Sequence, residues 1–327
     1  MSTNGKLKIG MYWAASCGGC DISLLEIGAR ILDLTQIADV ALWPCAADFK
    51  YKDVAAYPDG YLDVCFYNGS VRNSEQEELA RLLRKKSKTL VAYGACACDG
   101  GIPALANFKS PKSIFQAVYH DNPSLDNPAG VEPQPETPSP FGTLRLPIFY
   151  PAVLRLREIV DVDYELPGCP PQADRVWETI QAVVSGAVPP RNNGLRVGCT
   201  GKTVCEDCPL EKRLVKISGF RRHHEFRPEP GWCFLEQGLL CMGPATRGGC
   251  GALCIKGGLP CEGCYGPAAA VEDQGAAMSG ALGGLLDAST EERAQELVSQ
   301  ISDPSGRFYR FTTAAGMMKV HGQGGQS

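Results

Sequence analysis

Little in this sequence points to membranes, export or nucleic acid. No apolar stretch reaches the roughly 18–20 residues that a membrane span requires, and the best of them, around Ala276–Leu286, is short and rich in glycine. The first residues carry no basic region followed by an apolar core, and Cys17 follows almost at once, so export is not expected. A net charge of −4 and an isoelectric point near 5.7 argue against nucleic acid as the main partner. Histidine is scarce. Only His120, His223, His224 and His321 are present, so any metal site must be built mostly from thiolates. Neither a nucleophile–base pair nor a pair of catalytic carboxylates is recognisable, and no catalytic residue is assigned. Gly201-Lys202-Thr203 mimics the end of a phosphate-binding loop, but the glycine required five residues earlier is Arg196.

Cysteine is what the chain has in quantity. Sixteen in 327 residues exceeds ordinary cytosolic usage and falls short of a small disulfide scaffold. Without an export signal, that number points to metal or redox work. All-sulfur ligation selects iron–sulfur clusters or zinc. The remaining composition, 44% hydrophobic and 21% charged, is that of a globular protein, and the length suits two or three domains.

The first 190 residues alternate strand and helix patterns, which predicts a parallel sheet with covered faces. Expected strands are Lys8–Trp13, Ala38–Leu42, Tyr61–Tyr67, Thr89–Tyr93 and Val162–Leu166. Expected helical stretches are Ile22–Leu34, Ser74–Lys86 and Asp174–Val184, the second opening on a capping box of Ser74 and Glu77. Asn122–Pro140, with six prolines, reads as a surface loop, and Ala187–Gly194 as a linker. Residues 199–264 then hold nine cysteines and no long periodic stretch, so bound clusters are expected to hold that region together. From Glu272 the tail offers one helix, Glu291–Gln300, and a short strand, Phe308–Phe311.

Three cysteine-bearing turns follow predicted strands: Cys17-Gly18-Gly19-Cys20, Gly94-Ala95-Cys96 and Gly168-Cys169-Pro170-Pro171. In an open parallel sheet such loops converge at one edge, and four thiolates there make the ligand set of one 4Fe–4S cluster. Cys17-x-x-Cys20 alone would also fit a dithiol, but that would leave Cys96 and Cys169 without a role. Downstream, Cys205, Cys208, Cys233, Cys241, Cys250, Cys254, Cys261 and Cys264 suit two further 4Fe–4S clusters. Sequence order splits them after Cys241, although ferredoxins interleave their ligands and spacing alone does not fix the split. A zinc ribbon is the alternative, but the 52 residues between Cys208 and Cys261 far exceed its usual gap. Cys45, Cys65, Cys98 and Cys199 are left out, the first two read as core residues. The basic run Arg221–His224 reads as solvated surface or as a docking patch.

These residues resemble a known family. Ala15-Ser16-Cys17-Gly18-Gly19-Cys20, Gly94-Ala95-Cys96-Ala97 and Leu166-Pro167-Gly168-Cys169-Pro170-Pro171 are similar to the small subunit of nickel–iron hydrogenases. So are Cys241-Met242-Gly243-Pro244-Ala245-Thr246-Arg247 and Pro260-Cys261-Glu262-Gly263-Cys264-Tyr265-Gly266-Pro267. Within that family, Arg72–Glu78 and Arg84–Lys88 add a likeness to cytoplasmic, viologen-reducing hydrogenases of anaerobes, which do not reduce deazaflavin and feed heterodisulfide reductase. The resemblance implies a flavodoxin-like domain over residues 1–188 with a proximal 4Fe–4S cluster on Cys17, Cys20, Cys96 and Cys169. It implies a cysteine-rich domain over 189–271, with a distal 4Fe–4S cluster on Cys205, Cys208, Cys233 and Cys241. A medial one falls on Cys250, Cys254, Cys261 and Cys264, and residues 272–327 form a tail packing on the core.

The implied function is electron transfer from dihydrogen oxidation in a separate nickel-bearing large subunit. The electrons pass through three clusters to an iron–sulfur acceptor subunit, and on to heterodisulfide reductase and flavin-based bifurcation. No nickel ligand is expected on this chain. Membrane-linked members use a histidine where this chain has Cys205, and a proline where it has Cys254. They also carry a twin-arginine signal not seen here, so three low-potential clusters in the cytoplasm are expected. Sister enzymes coupled to deazaflavin or nicotinamide nucleotides share the twelve-cysteine plan and are the alternative. The cluster subunit of quinone reductases shares only the first domain and uses adjacent cysteines in place of Cys17-x-x-Cys20.

Overall fold

The computed structural model describes residues 5–47, 50–187 and 195–317. Its strands are β1 (Leu7–Trp13), β2 (Ala38–Leu42), β3 (Leu62–Asn68), β4 (Val71–Asn73), β5 (Ser87–Tyr93), β6 (Glu136–Ser139), β7 (Gly142–Arg145), β8 (Phe149–Leu154), β9 (Tyr164–Leu166) and β10 (Leu195–Arg196). The helices that matter below are α1 (Gly19–Leu25), α2 (Arg30–Ile37), α3 (Tyr51–Ala56), α4 (Ser74–Lys86), α5 (Ala95–Asp99), α6 (Pro111–Tyr119) and α7 (Ala173–Ser185). The cysteine-rich part and the tail add α8 (Val204–Asp207), α9 (Leu253–Lys256), α10 (Gln274–Leu285), α11 (Glu291–Ser299) and α12 (Pro304–Phe308).

Six strands form one parallel sheet in the order β10-β9-β5-β3-β1-β2. Side chains alternate across it, as a period of two requires. Cys65, Tyr67, Leu90 and Ala92 face α3 and α4 through Val54, Leu79 and Leu83. Val64, Phe66, Val91 and Tyr93 face α1, α2 and α7 through Leu24, Leu34, Val176 and Ile180. Both faces are covered, which is why these strands read as continuous apolar runs. The order of the first five strands is that of a flavodoxin-like, doubly wound sheet. It reverses direction between β1 and β3, and such sheets bind their ligands outside the carboxyl ends at that point.

Several elements depart from the sequence reading. Ile22–Leu34 is broken rather than continuous: α1 ends at Leu25, and Gly28, at φ +67°, turns the chain before α2. The cap of α4 is Asn73, whose side chain accepts from the Gln76 amide at 2.9 Å. Ser74 instead accepts from the Ile148 amide, while Glu77 takes Arg81 and the Tyr150 hydroxyl. Part of the proline-rich segment is a hairpin, β6 with β7, exposed along its length. Phe308–Phe311 is not a strand. Asp303 caps the Gly306 amide, α12 runs to Phe308, and the turn beyond buries Tyr309 and Phe311 on alternate sides of Arg310. Of the expected linker, residues 188–194 lie outside the described residues.

The cysteine-rich segment has a core of its own, completed by the tail. Val204, Ile217, Phe234, Leu235, Leu239 and Met242 pack with Met278 and Leu282 of α10 and with Ile301 after α11. The tail also returns to the sheet, where the Phe311 carbonyl accepts from the Gly101 amide at 3.1 Å.

Candidate metal centres

At the carboxyl edge of the sheet three cysteine loops meet, two of them tied by backbone hydrogen bonds and the third by close packing. The Gly94 amide donates to Leu166 O at 2.8 Å and the Ala95 amide to Gly168 O at 2.7 Å, which ties the loop after β5 to the loop after β9. Gly94, at φ +87°, sits so close to Cys20 that an added Cβ would fall 2.4 Å from its sulfur. A Cβ on Gly101 would lie 2.6 Å from the Cys96 sulfur. Only glycine permits these approaches.

The thiols crowded there disturb one another. Burial first, then the thiolates of Cys96, Cys169 and Cys17, push the Cys20 thiol far above its usual range. Cys96 is pushed up to about 12, by burial and then by Cys169 and Cys17, and Cys169 is raised by burial and Cys17. Cys20 and Cys96 are buried, whereas Cys17 and Cys169 are exposed at the sheet edge.

Two more groups of four appear in the cysteine-rich segment. Cys205 is pushed up to about 12 by burial, with Cys241, Cys233 and Cys208 adding repulsion. Cys264 is pushed up to about 12 by burial, against a hydrogen bond from the Cys169 backbone, with Cys169, Cys250 and Cys254 adding repulsion. Cys261 is raised by burial, then by Cys241 and Cys264. The groups therefore touch in sequence: Cys169 meets Cys264, and the Cys261 amide donates to the Cys241 sulfur at 3.3 Å.

The chemistry of these donors fits iron–sulfur clusters. All sixteen cysteines are free thiols. A buried thiol with three thiolate neighbours is unfavourable unless cations offset the charge. Among the described residues, no three His, Cys, Asp or Glu side chains are close enough to share one metal ion. One zinc would draw four sulfurs in to about 2.3 Å, whereas a cube of four irons holds one thiolate at each corner and keeps them apart. Main-chain amides stand ready at the sulfurs: Gly19 to Cys17 at 3.4 Å and Leu210 to Cys208 at 3.5 Å, with Gly243 and Cys261 both donating to Cys241. Such amides stabilise thiolate charge and tune a cluster.

The other four cysteines stand apart. Cys65 is fully buried in the sheet core, and Cys98 donates from the far side of α5 to Ala92 O. The Cys199 thiol bonds Arg247. Cys45 is not a core residue as its sequence context implied. It lies exposed in the turn after Trp43 and bonds Asp21.

Two supports were missed in the sequence. Arg196, the residue that spoiled the phosphate-loop pattern, is largely enclosed between the end of α5 and the loop that carries Cys264. It bonds Glu165 of β9 at 3.1 Å, Asp99 at the end of α5, and the carbonyl of Tyr265 at 3.3 Å. Gly266 makes room for it, since a Cβ there would lie 2.4 Å from both Arg196 and Asp99. Gln274, at the start of α10, donates to Gly263 O at 3.0 Å and Gly266 O at 3.1 Å, closing the loop that carries Cys264. Neither residue belongs to a cysteine motif. Arg196 could have been flagged only as a lone cation preceding a metal-rich segment.

The family profile described as "NADH ubiquinone oxidoreductase, 20 Kd subunit" matches residues 17–183, just over half of the chain, and sets the class as a redox-enzyme subunit built on this sheet. The iron–sulfur subunit of the F420-non-reducing hydrogenase of Archaeoglobus profundus is 36% identical over 318 residues, covering 95% of this chain and 98% of the relative. The corresponding F420-non-reducing hydrogenase chain of Methanothermobacter thermautotrophicus is 36% identical over 326 residues, covering 98% and 99%. A solved Ni-Fe-Se hydrogenase chain from Desulfomicrobium baculatum shares the fold at a TM-score of 0.51 and 22% identity, over 80% of this chain and 95% of that one. The chain thus belongs to the nickel–iron hydrogenase small-subunit family that includes these F420-non-reducing hydrogenase chains. It is an oxidoreductase subunit with an electron-transfer role, of a kind that binds iron–sulfur clusters and pairs with a large subunit. No helix among the described residues is long and apolar enough to cross a membrane.

Proposed function

We propose that this chain holds three 4Fe–4S clusters in a row. Cys17, Cys20, Cys96 and Cys169 hold the proximal one. Cys250, Cys254, Cys261 and Cys264 hold the medial one, and Cys205, Cys208, Cys233 and Cys241 the distal one. The observation that carries this is the chaining of three thiol groups through Cys169 with Cys264 and Cys261 with Cys241. When bound, such clusters take up and release single electrons, so a row of them serves transfer from a nickel-bearing large subunit to an iron–sulfur acceptor.

The chain's own part is to place and shield that row. Residues 1–188 hold the first group against the sheet edge. Of the expected second domain, residues 195–271 enclose the other two, and residues 272–317 of the tail close over them. Arg196 locks β9 and the end of α5, the helix that carries Cys96, to the loop of Cys264, and Gln274 holds the latter shut. Tyr93 and Phe66 keep water from the inner side of the Cys20 pocket. With Cys205 and Cys254 in place of histidine and proline, all three sites carry the charge of four thiolates, which favours low potentials. Heterodisulfide reductase as the destination, with flavin-based bifurcation in the cytoplasm, is the part of this reading that the motif resemblance alone implies; the full-length likeness to F420-non-reducing hydrogenases supports the hydrogenase part.

Metal analysis of the anaerobically purified native complex tests this. About twelve iron and twelve sulfide per small subunit, beside a nickel-bearing chain, are expected. Zinc in place of iron, or a high-potential 3Fe–4S signal in the intact protein, would overturn it.

A further inference from the structure

The chain is net negative, yet one face is locally basic. Arg221, Arg222, His223 and His224 are all exposed. Arg221 stacks on Phe226 at 5.0 Å, and among the described residues no carboxylate pairs with the guanidinium of Arg221 or Arg222. Two cavities meet at His223. One, of about 530 Å³, runs between Pro209, Arg227, Phe234 and Lys256. The other, of about 230 Å³, runs between Arg221, Arg222, Cys254 and Arg307. His223 bridges them, held by Gly258 O at 3.2 Å and set edge-on to Phe234. The acids nearby are already engaged: Glu225 accepts from the Arg222 amide at 2.6 Å and sits 3.9 Å from His224, Glu229 pairs with Arg213 at 2.7 Å, and Glu262 pairs with Arg307 and Arg310.

The groove passes residues of the medial and distal cysteine groups. Cys254 is exposed in its wall, and Pro209 directly follows Cys208. Leu259, 55% exposed, gives its wall an apolar part, and Leu253, 49% exposed, adjoins Cys254 in sequence. Apolar surface with unpaired cations beside a redox centre combines what a specific protein contact needs, desolvatable surface and a steering charge.

We propose that this groove is the docking surface for the electron-accepting partner, and that the partner is an acidic redox protein whose carboxylates pair with Arg221 and Arg222. The proposal rests on the ligand assignment above. An acidic partner is repelled by the net charge of this chain and drawn to this face, so the patch fixes where it lands. Arg227 and Lys256 extend the attraction along the larger cavity, which has room for an apolar side chain of the partner.

The test uses the whole hydrogenase complex, purified anaerobically through its large subunit, with Arg221→Glu and Arg222→Glu combined. The iron–sulfur chain that accompanies the wild-type enzyme should bind at least ~10-fold more weakly. The large subunit should stay, and hydrogen-dependent reduction of methyl viologen, a dye small enough to need no docking surface, should continue at the wild-type rate. Wild-type binding of the acceptor should weaken as salt is raised. Acceptor binding that is unchanged in the variant and insensitive to salt overturns the proposal. Loss of the large subunit also overturns it, because the groove would then be the subunit interface. Should the charge reversal misfold, Arg221→Gln with Arg222→Gln and the wild-type salt titration decide the matter. A wild-type complex without hydrogen-dependent dye reduction fails at the functional reading itself, and the docking proposal falls with it.

Discussion

Strand β3 and the segment around Cys241 are both buried, but by different neighbours. Val64, Phe66 and Tyr67 are enclosed by hydrocarbon and rings from the sheet and its helices. Cys241 and Cys261 are themselves core members of their region, with Cys208, Cys233 and Cys250 packed alongside. The first region can satisfy its interior with apolar contact alone, at roughly 25 cal/mol per Å² buried. The second packs thiols among its leucines and rings, and its folding is therefore expected to depend on what the thiols bind. With the proposed clusters bound, the first region is expected to tolerate losing its metal and the second is not.

Removing the iron should break this symmetry of burial most strongly. After anaerobic chelation, amide hydrogen exchange should show β1, β3 and β5 still protected while residues 199–266 lose protection. Equal melting of both regions would refute the distinction. Next in size is Gly94→Ala, whose Cβ meets the Cys20 sulfur. It should cost the proximal site alone, about four iron per chain, with the count in the other region unchanged. Arg196→Met should destabilise the contact between the regions by about 3 kcal/mol, because Asp99 stays buried without its cation while Glu165 keeps only Arg157 at 3.3 Å. Denaturant unfolding of the metal-loaded chain measures it. Asn73→Ala, deep in the scaffold half, should cost only about 1 kcal/mol as a lost helix cap and leave iron content untouched.

The sheet was readable because both its faces are covered, which leaves apolar runs that need no periodic partner to be seen. The first cysteine loops were readable because each directly follows such a run. What escaped was held by long-range contacts. Helix α10 is apolar on all sides with several glycines, so no amphipathic stripe announces it, and Gln274 acts only through loops that precede it in sequence. Phe308–Phe311 has the apolar content of a strand, but Asp303 and Pro304 start a helix that consumes its beginning. Cys45 shows the converse error, since apolar flanks do not bury a residue that falls in a turn.

The core that α10 and α11 complete also imposes an order of events in time. Cys264, the last of the twelve proposed ligands, leaves the ribosome before the helices that close over its region. At about 5–20 residues per second, the roughly 40 residues on to Ile301 take a few seconds to make. For that interval the thiol groups of the cysteine-rich segment stand open. Whatever delivers iron and sulfide, during synthesis or in a later reopening, has to work while Met278, Leu282 and Ile301 are not yet in place.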